Sequence, residues 1–311
     1  MASEPNTDHL DLYAAPTWQC VMICWGTKYP TSLINNLARS IADKASSPPR
    51  FILISDREHA GLADAIGLVR FPDYWLQDRL KTSGCQAKLV MFEHGIVPTD
   101  LPAIYVDLDT IVLGDLGTGL ALMENRQTVA ILHSAIIPFG WIGRTLYRWT
   151  NRRRYARGNS SFVIYHPAEC HFIAERFKAL LEQYPRLEFR PMAADERFIS
   201  WVAQEHMVRI PGTFAVKFPG EYMFHWGFWL YIKARLPWVQ RRRSALVAVT
   251  LNGLMIKPEK LLSLKEGDVI VDEKSRKLIW SEKTLGFMRS RIQAFYAGSL
   301  QSPDAIGKRP S

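Results

Sequence analysis

The chain of 311 residues is poor in cysteine, and its four, Cys20, Cys24, Cys85 and Cys170, form no CxxC pair. Set mostly within apolar stretches, they read as small core residues of a reducing compartment. The sequence also lacks any uninterrupted apolar run of the roughly 18 residues that a spanning helix needs. Its opening, Met1 to Asp11, is polar and acidic where a signal peptide would have a basic start and an apolar stretch. Cytoplasmic residence is therefore the expectation. No internal repeat or long linker marks a second independent domain, and a hydrophobic content of 48% excludes a disordered or fibrous chain.

Acidic residues are outnumbered, 30 Asp and Glu against 39 Lys and Arg, for a formal charge of +9. This balance favours an anionic partner without naming one. Part of the charge is clustered in Arg152-Arg153-Arg154 and Arg241-Arg242-Arg243, each preceded by an aromatic-rich segment, Trp141 to Trp149 and Phe228 to Val239. Such a mixture can lie peripherally at an anionic membrane surface, rings in the interface and arginines on headgroups. It equally suits a surface helix whose aromatic side packs inward. Nucleic acid is set aside as a partner, since no finger, RNP-like strand or recognition-helix pattern accompanies the charge.

What is present is an alternation of strands and helices. Val21 to Cys24, Phe51 to Ile54, Ala103 to Val106, Val129 to Leu132 and Phe162 to Tyr165 read as buried strands. Leu33, Ile34, Leu37, Ala38 and Ile41 recur at helical spacing, as do Phe172, Ile173, Phe177, Leu180 and Leu181. Strands followed by helices imply crossover connections and a mainly parallel sheet, with a ligand crevice beyond the carboxyl ends of the strands. Trp25 to Tyr29, Asp56 and Asp107 to Asp109 would then meet at one rim. Within Tyr105-Val106-Asp107-Leu108-Asp109-Thr110, an extended backbone sends both aspartates to the same side. Two carboxylates that close repel, so a bound divalent cation is a natural reason to keep both, and a phosphate-bearing substrate follows.

These residues, taken together, resemble nucleotide-sugar-dependent glycosyltransferases of the GT-A fold, especially bacterial family-8-like and polysaccharide or lipopolysaccharide sugar transferases. The resemblance spans about residues 20 to 260. It rests on Ile23 to Tyr29, the strand ending at Asp56, Lys88 in a helix, the DxD-like Asp107-Leu108-Asp109, the segment Arg157-Gly158-Asn159-Ser160-Ser161, and the acidic helix Ala194-Asp195-Glu196-Arg197. It implies an α/β, Rossmann-like GT-A domain with a central mixed, mainly parallel sheet. Its implied activity is transfer of a sugar from a nucleotide diphosphate donor, a UDP-sugar favoured, to a hydroxyl of a carbohydrate or lipid-linked acceptor in bacterial surface glycan synthesis. Mn or Mg would be held by Asp107 and Asp109. Trp25, Gly26, Thr27, Tyr29, Asp56, Lys88, Asp107, Asn159, Ser160 and Lys257 would line the donor site, and Asp195 and Glu196 would be the catalytic carboxylates.

The chain departs from the family-8 pattern in two places. Asn252 stands where a metal-binding histidine would precede Gly253 and Lys257-Pro258, and Asn159-Ser160-Ser161 lacks the usual glycine. An amide carbonyl can bind a hard cation, so Asn252 is the expected third metal ligand, with His225 as a further donor. Asp107-Leu108-Asp109-Thr110 also matches the start of haloacid-dehalogenase-like phosphatases, whose first aspartate is a nucleophile. That motif follows the first strand of those enzymes, whereas at least two strands precede it here. An inert nucleotide-binding scaffold is the other alternative. The expected layout is a flexible segment 1–17, a catalytic domain 18–260, a small hairpin and helix extension 261–300 and a mobile tail 301–311.

Overall fold

Apolar runs too short for buried helices become strands in the computed structural model, which describes residues 15–134, 136–253 and 255–300. The opening Met1 to Asp11 and the tail 301–311 lie outside the described residues. Strands run in chain order as β1 (Gln19–Cys24), β2 (Arg50–Ser55), β3 (Ile66–Arg70), β4 (Ala103–Val106), β5 (Thr110–Val112), β6 (Val129–His133), β7 (Gly158–Tyr165), β8 (Met207–Ile210), β9 (Ala215–Lys217) and β10 (Ala248–Thr250). The main sheet has the order β3-β2-β1-β4-β7-β6-β8, and a smaller one the order β5-β10-β9.

Both faces of the main sheet are covered, which is why β1, β4 and β7 are buried along their whole length. Alternate residues divide between two cores. Cys20, Met22, Ile104 and Val106 pack on one side with Leu33, Ile34 and Leu37 of the helix Thr31–Ala42. Val21, Ile23, Ala103 and Tyr105 pack on the other with Ile173, Phe177 and Leu181 of the helix Phe172–Gln183. Strand β3 carries no apolar run. It is an edge strand with Gly67 and Arg70 at exposed positions, and sequence patterning gives no sign of it.

The sheet is mixed because β7 alone runs against its neighbours. It pairs antiparallel with β4 and β6, while β1–β2, β2–β3, β1–β4 and β6–β8 are parallel. The start of β7 consequently lies at the rim where β4 ends, with Val106 opposite Phe162.

Lys88 lies in a helix, as expected, and it is the 3₁₀ helix Gln86–Phe92. Two expectations need correction. Asp107 to Asp109 do not continue β4 as an extended segment: the strand stops at Val106, and the Thr110 amide donates to the Asp107 carbonyl at 3.1 Å, closing a turn. A turn frees the aspartates from the two-residue alternation that would have dictated their direction. The Arg241 to Arg243 cluster is not a free electrostatic face, because Arg242 donates to Glu221 Oε2 at 2.5 Å and Arg243 to Glu221 Oε1 at 2.9 Å, with Arg243 only 6% exposed. A buried carboxylate demands such partners. Farther along, β11 (Val269–Val271) and β12 (Lys277–Ile279) pair antiparallel, and Leu278, Trp280, Met288 and Ile292 join the same core as Trp18 and Leu33.

One close approach fixes the start of the helix Asp195–Val202. The Asp195 amide donates to the Gly84 carbonyl at 2.9 Å, and a Cβ on Gly84 would stand 2.5 Å from the Ala193 carbonyl oxygen. Gly84→Ala is expected to destabilise the fold by about 1–3 kcal/mol. The urea midpoint should fall at constant m-value; an unchanged midpoint would mean that the two segments part without cost.

Candidate functional site

The reversed β7 brings three groups of residues to the carboxyl rim of the sheet: the loop after β1, the turn after β4 and the first residues of β7. The loop Trp25 to Tyr29 leaves β1 through Gly26 at φ +65°, in the left-handed region. Asp56, just past β2, accepts the Gly26 amide at 2.9 Å, while its Oδ1 is buried without a partner among the described residues. Gly26, Thr27 and Lys28 are exposed. Trp25 meets Phe71 edge-on at 6.3 Å between ring centroids, and the Lys28 ammonium sits 4.9 Å from the Tyr29 ring centroid. The Tyr29 phenol is pushed up by burial and then by the Asp109 and Asp107 charges, so this ring reaches the aspartate turn.

At that turn, Lys88 Nζ donates to Asp107 Oδ1 at 2.6 Å and Tyr105 Oη donates to the same oxygen at 2.5 Å. The Asp107 amide also donates to the Ser161 carbonyl at 3.0 Å, tying the turn to β7. Burial favours the neutral acid, but Lys88 and the hydrogen bonds from Lys88, Tyr105 and Ser161 prevail and hold the Asp107 carboxyl below its ordinary range. Burial likewise opposes the Lys88 charge, and Asp107 more than compensates, holding that pKa well above normal.

Asp109 has the opposite balance. Burial, followed by repulsion from Asp107, raises it to about 6, with Lys257 opposing from 3.3 Å. Lys28 belongs to the same group: burial and the nearby Lys257 lower its pKa, and Asp109 works against them. The Leu251 amide donates to the Asp109 carbonyl at 2.9 Å, so the segment after β10 lies along the turn.

Asp109 Oδ1 and Asn252 Oδ1 are both buried with no hydrogen-bond partner among the described residues. Such orphaned acceptors are costly unless a cation or donor completes them. Carboxylate and amide oxygens of this kind are the donor chemistry that a hard divalent ion takes. Among the described residues no group of three His, Cys, Asp or Glu is arranged to hold a metal, and His225 is exposed beside Phe224.

Across the rim, Ser160 Oγ donates to Asp195 Oδ2 at 2.6 Å and Asn159 Nδ2 to Glu196 Oε2 at 2.5 Å. Both acids open the helix Asp195–Val202, where the unpaired amides of its first turn favour negative charge. Burial raises Asp195 to about 6, against the Lys88 charge and the Ser160 hydrogen bond. The carboxyl is ionised above that pH and protonated below it.

Sequence reading missed three contributors, Tyr105, Lys28 and Gly84. Tyr105 stands two residues before Asp107, and strand periodicity could have placed it; Lys28 adjoins residues already chosen. Gly84 carries no sequence signal, because its role is a contact with residues more than a hundred positions away.

Removing Lys88 should expose the dependence of Asp107 on it. Lys88→Met is expected to destabilise the protein by roughly 3 kcal/mol, since it strands a largely buried carboxylate. Adding Asp107→Asn should recover most of that loss in urea unfolding. Equal instability of the single and double variants would show that Lys88 acts through packing instead.

No family model and no curated protein matches this chain. Solved structures do. Galactosyltransferase LgtC in complex with donor and acceptor sugar analogues is 12% identical, with 91% of this chain and 96% of that one covered at a TM-score of 0.54. The bifunctional glycosyltransferase WbbM, in its apo structure, is 12% identical over 98% of this chain, which spans only 52% of WbbM, at a TM-score of 0.54. The glycosyltransferase GlyE of Streptococcus pneumoniae TIGR4 is 11% identical, with 91% and 61% covered at a TM-score of 0.50. At such identities the likeness speaks for architecture alone, and the architecture is the α/β GT-A fold, a Rossmann-like domain around a mixed, mainly parallel sheet.

Proposed function

We propose that this chain is a metal-dependent glycosyltransferase that moves one sugar from a nucleotide diphosphate donor, a UDP-sugar favoured, to a hydroxyl of a carbohydrate or lipid-linked acceptor. The observation that carries the reading is the pair of orphaned oxygens, Asp109 Oδ1 and Asn252 Oδ1, beside Asp107 and within reach of ammonium groups. Oxygen ligands for a hard cation next to ammonium groups suit a diphosphate. LgtC, solved with donor and acceptor sugar analogues, adds to this reading by its fold.

Asp107, Asp109 and Asn252 would hold Mn or Mg, which supplies neutralisation of the leaving diphosphate. Lys28 and Lys257, both near Asp109, bind the same phosphates as point charges. Gly26 and Thr27, in the loop tied down by Asp56, admit the nucleotide, with Trp25 and Tyr29 offering ring faces to the base. Lys88 keeps Asp107 ionised and oriented. Asp195, ionised above about pH 6, positions the acceptor hydroxyl and takes its proton as the new bond forms, and Ser160 fixes the carboxylate. Asn159 fixes Glu196 in the same way for an acceptor contact.

The phosphatase alternative expects its aspartates after the first strand, whereas here they follow the fourth strand of a GT-A sheet. Calorimetry of UDP binding with and without Mn tests the transferase reading. Asp109→Ala should lower the Mn-dependent affinity at least tenfold, about 1.4 kcal/mol, while the fold persists. Undiminished Mn-dependent binding would refute the assignment. No nucleotide binding by folded wild-type protein would favour the inert scaffold.

The protein is further proposed to rest peripherally on an anionic membrane at the inner face of the plasma membrane. Among the described residues no helix is long and apolar enough to cross one. Trp226, Phe228 and Trp238, each more than 60% exposed, lie on or beside the helices Gly227–Arg235 and Pro237–Ser244, and aromatic rings of this kind suit an interface. Replacing all three by Ser should abolish sedimentation with phosphatidylglycerol vesicles. Full retention would remove these rings from the anchor.

A further inference from the structure

A cavity of about 890 Å³ is lined in part by Arg197 and Trp201 of the helix Asp195–Val202, and its lining is dominated by arginine. Arg152, Arg153 and Arg154 come from the loop after the helix Trp141–Trp149, Arg157 from the approach to β7, Arg176 from the helix Phe172–Gln183, Arg190 from a 3₁₀ turn, and Arg197 from the helix Asp195–Val202. No Asp or Glu lines it. Some arginines elsewhere have acidic partners, Arg50 with Asp100, Arg70 with Glu58, Arg148 with Glu205 and Arg276 with Asp272, but those are scattered pairs, whereas the cavity gathers its arginines around one hollow. Among the described residues none of the seven in the cavity makes an ion pair within 4.0 Å.

Seven like charges around one hollow repel one another, and the backbone that delivers three of them is strained. Asn151 and Arg152 lie consecutively in the left-handed region, at φ 47° and 64°. Six of the seven are exposed, so an anion can reach them, and guanidinium forks match phosphate oxygens bidentately. The floor includes Tyr155, Phe189 and Trp201, with Phe189 and Trp201 edge-to-face at 5.1 Å. The volume suits a small ligand, not a nucleic-acid duplex or a flat lipid surface.

Two of the cavity's arginines neighbour the candidate catalytic carboxylates and their partners along the chain. Arg157 precedes Asn159 by two residues, Arg197 follows Glu196 directly, and Asn159 and Glu196 are hydrogen-bonded. We propose that this cavity binds the diphosphate group of the acceptor, so that the sugar acceptor is a diphosphate-bearing glycan whose charged end sits among the arginines. The anion site stands on the cavity alone, and its assignment to the acceptor rests on the glycosyltransferase reading. The diphosphate is supplied either by a lipid-linked carrier or by a soluble sugar diphosphate, and it serves as a handle that is not broken in the transfer.

The test is calorimetric titration of the full chain with inorganic pyrophosphate, with UDP and Mn present to occupy the donor site. The comparison is the triple variant Arg153→Gln/Arg176→Gln/Arg190→Gln, whose side chains are all exposed. Pyrophosphate should bind the wild type and bind the variant at least tenfold more weakly, with UDP affinity unchanged within twofold. Competition by a short-chain prenyl diphosphate tighter than by pyrophosphate would identify the lipid carrier as the source, and equal competition the soluble one. Equal pyrophosphate binding by variant and wild type would overturn the proposal. So would arginine-dependent capture by phosphatidylglycerol vesicles without pyrophosphate binding, which would make the patch a lipid contact. If pyrophosphate binding depends on the arginines while UDP fails to bind either protein, the anion site holds and the transferase reading falls.

Discussion

One buried ammonium organises the rim of this sheet. Lys88 acts on Asp107, Asp109 and Asp195 together, yet it touches only Asp107, and the contact divides the three acids into unlike states. Asp107 is locked as a carboxylate. Asp109 and Asp195, both buried, are raised to about 6. Placed on one of them, the ammonium leaves Asp195 as an acid that changes charge at about pH 6, the range in which proton transfer is inexpensive.

That arrangement depends in turn on the direction of β7. Had it run parallel to β4, Asn159 to Ser161 would begin at the far edge of the sheet, and the hydrogen bonds that orient Asp195 and Glu196 would have no donors there. The reversal also lets the Ser161 carbonyl hold the Asp107 amide. The aspartate turn and the partners of Asp195 and Glu196 thus share one backbone ladder, and their spacing is set by strand geometry rather than by loop conformation.

Much of this was legible in the sequence wherever a segment's fate is decided locally. The buried strands β1, β2, β4, β6 and β7 announce themselves as short apolar runs, and the helix Thr31–Ala42 by its 3.6-residue stripe. The meeting of Trp25 to Tyr29, Asp56 and the aspartates follows from parallel topology. Illegible were features decided by distant partners. Strand β3 is held by β2 and needs no apolar pattern of its own, and the turn at Asp107 is pulled from extended form by the Ser161 carbonyl and the small sheet. The Arg241 to Arg243 run looks like surface charge until Glu221, some twenty residues earlier, is seen to claim two of the three.

The pairing of Lys257 with Asp109 spans 148 residues, and β10, which closes the edge of β5, precedes Lys257 by only a few positions. During synthesis the main sheet can therefore be complete through β8 while the aspartate turn still lacks its second wall. Contacts of such long sequence separation form late, after their loop-closure entropy has been met. Enclosure of the aspartate turn therefore trails assembly of the main sheet, and the carboxylates are in place before the wall that covers them.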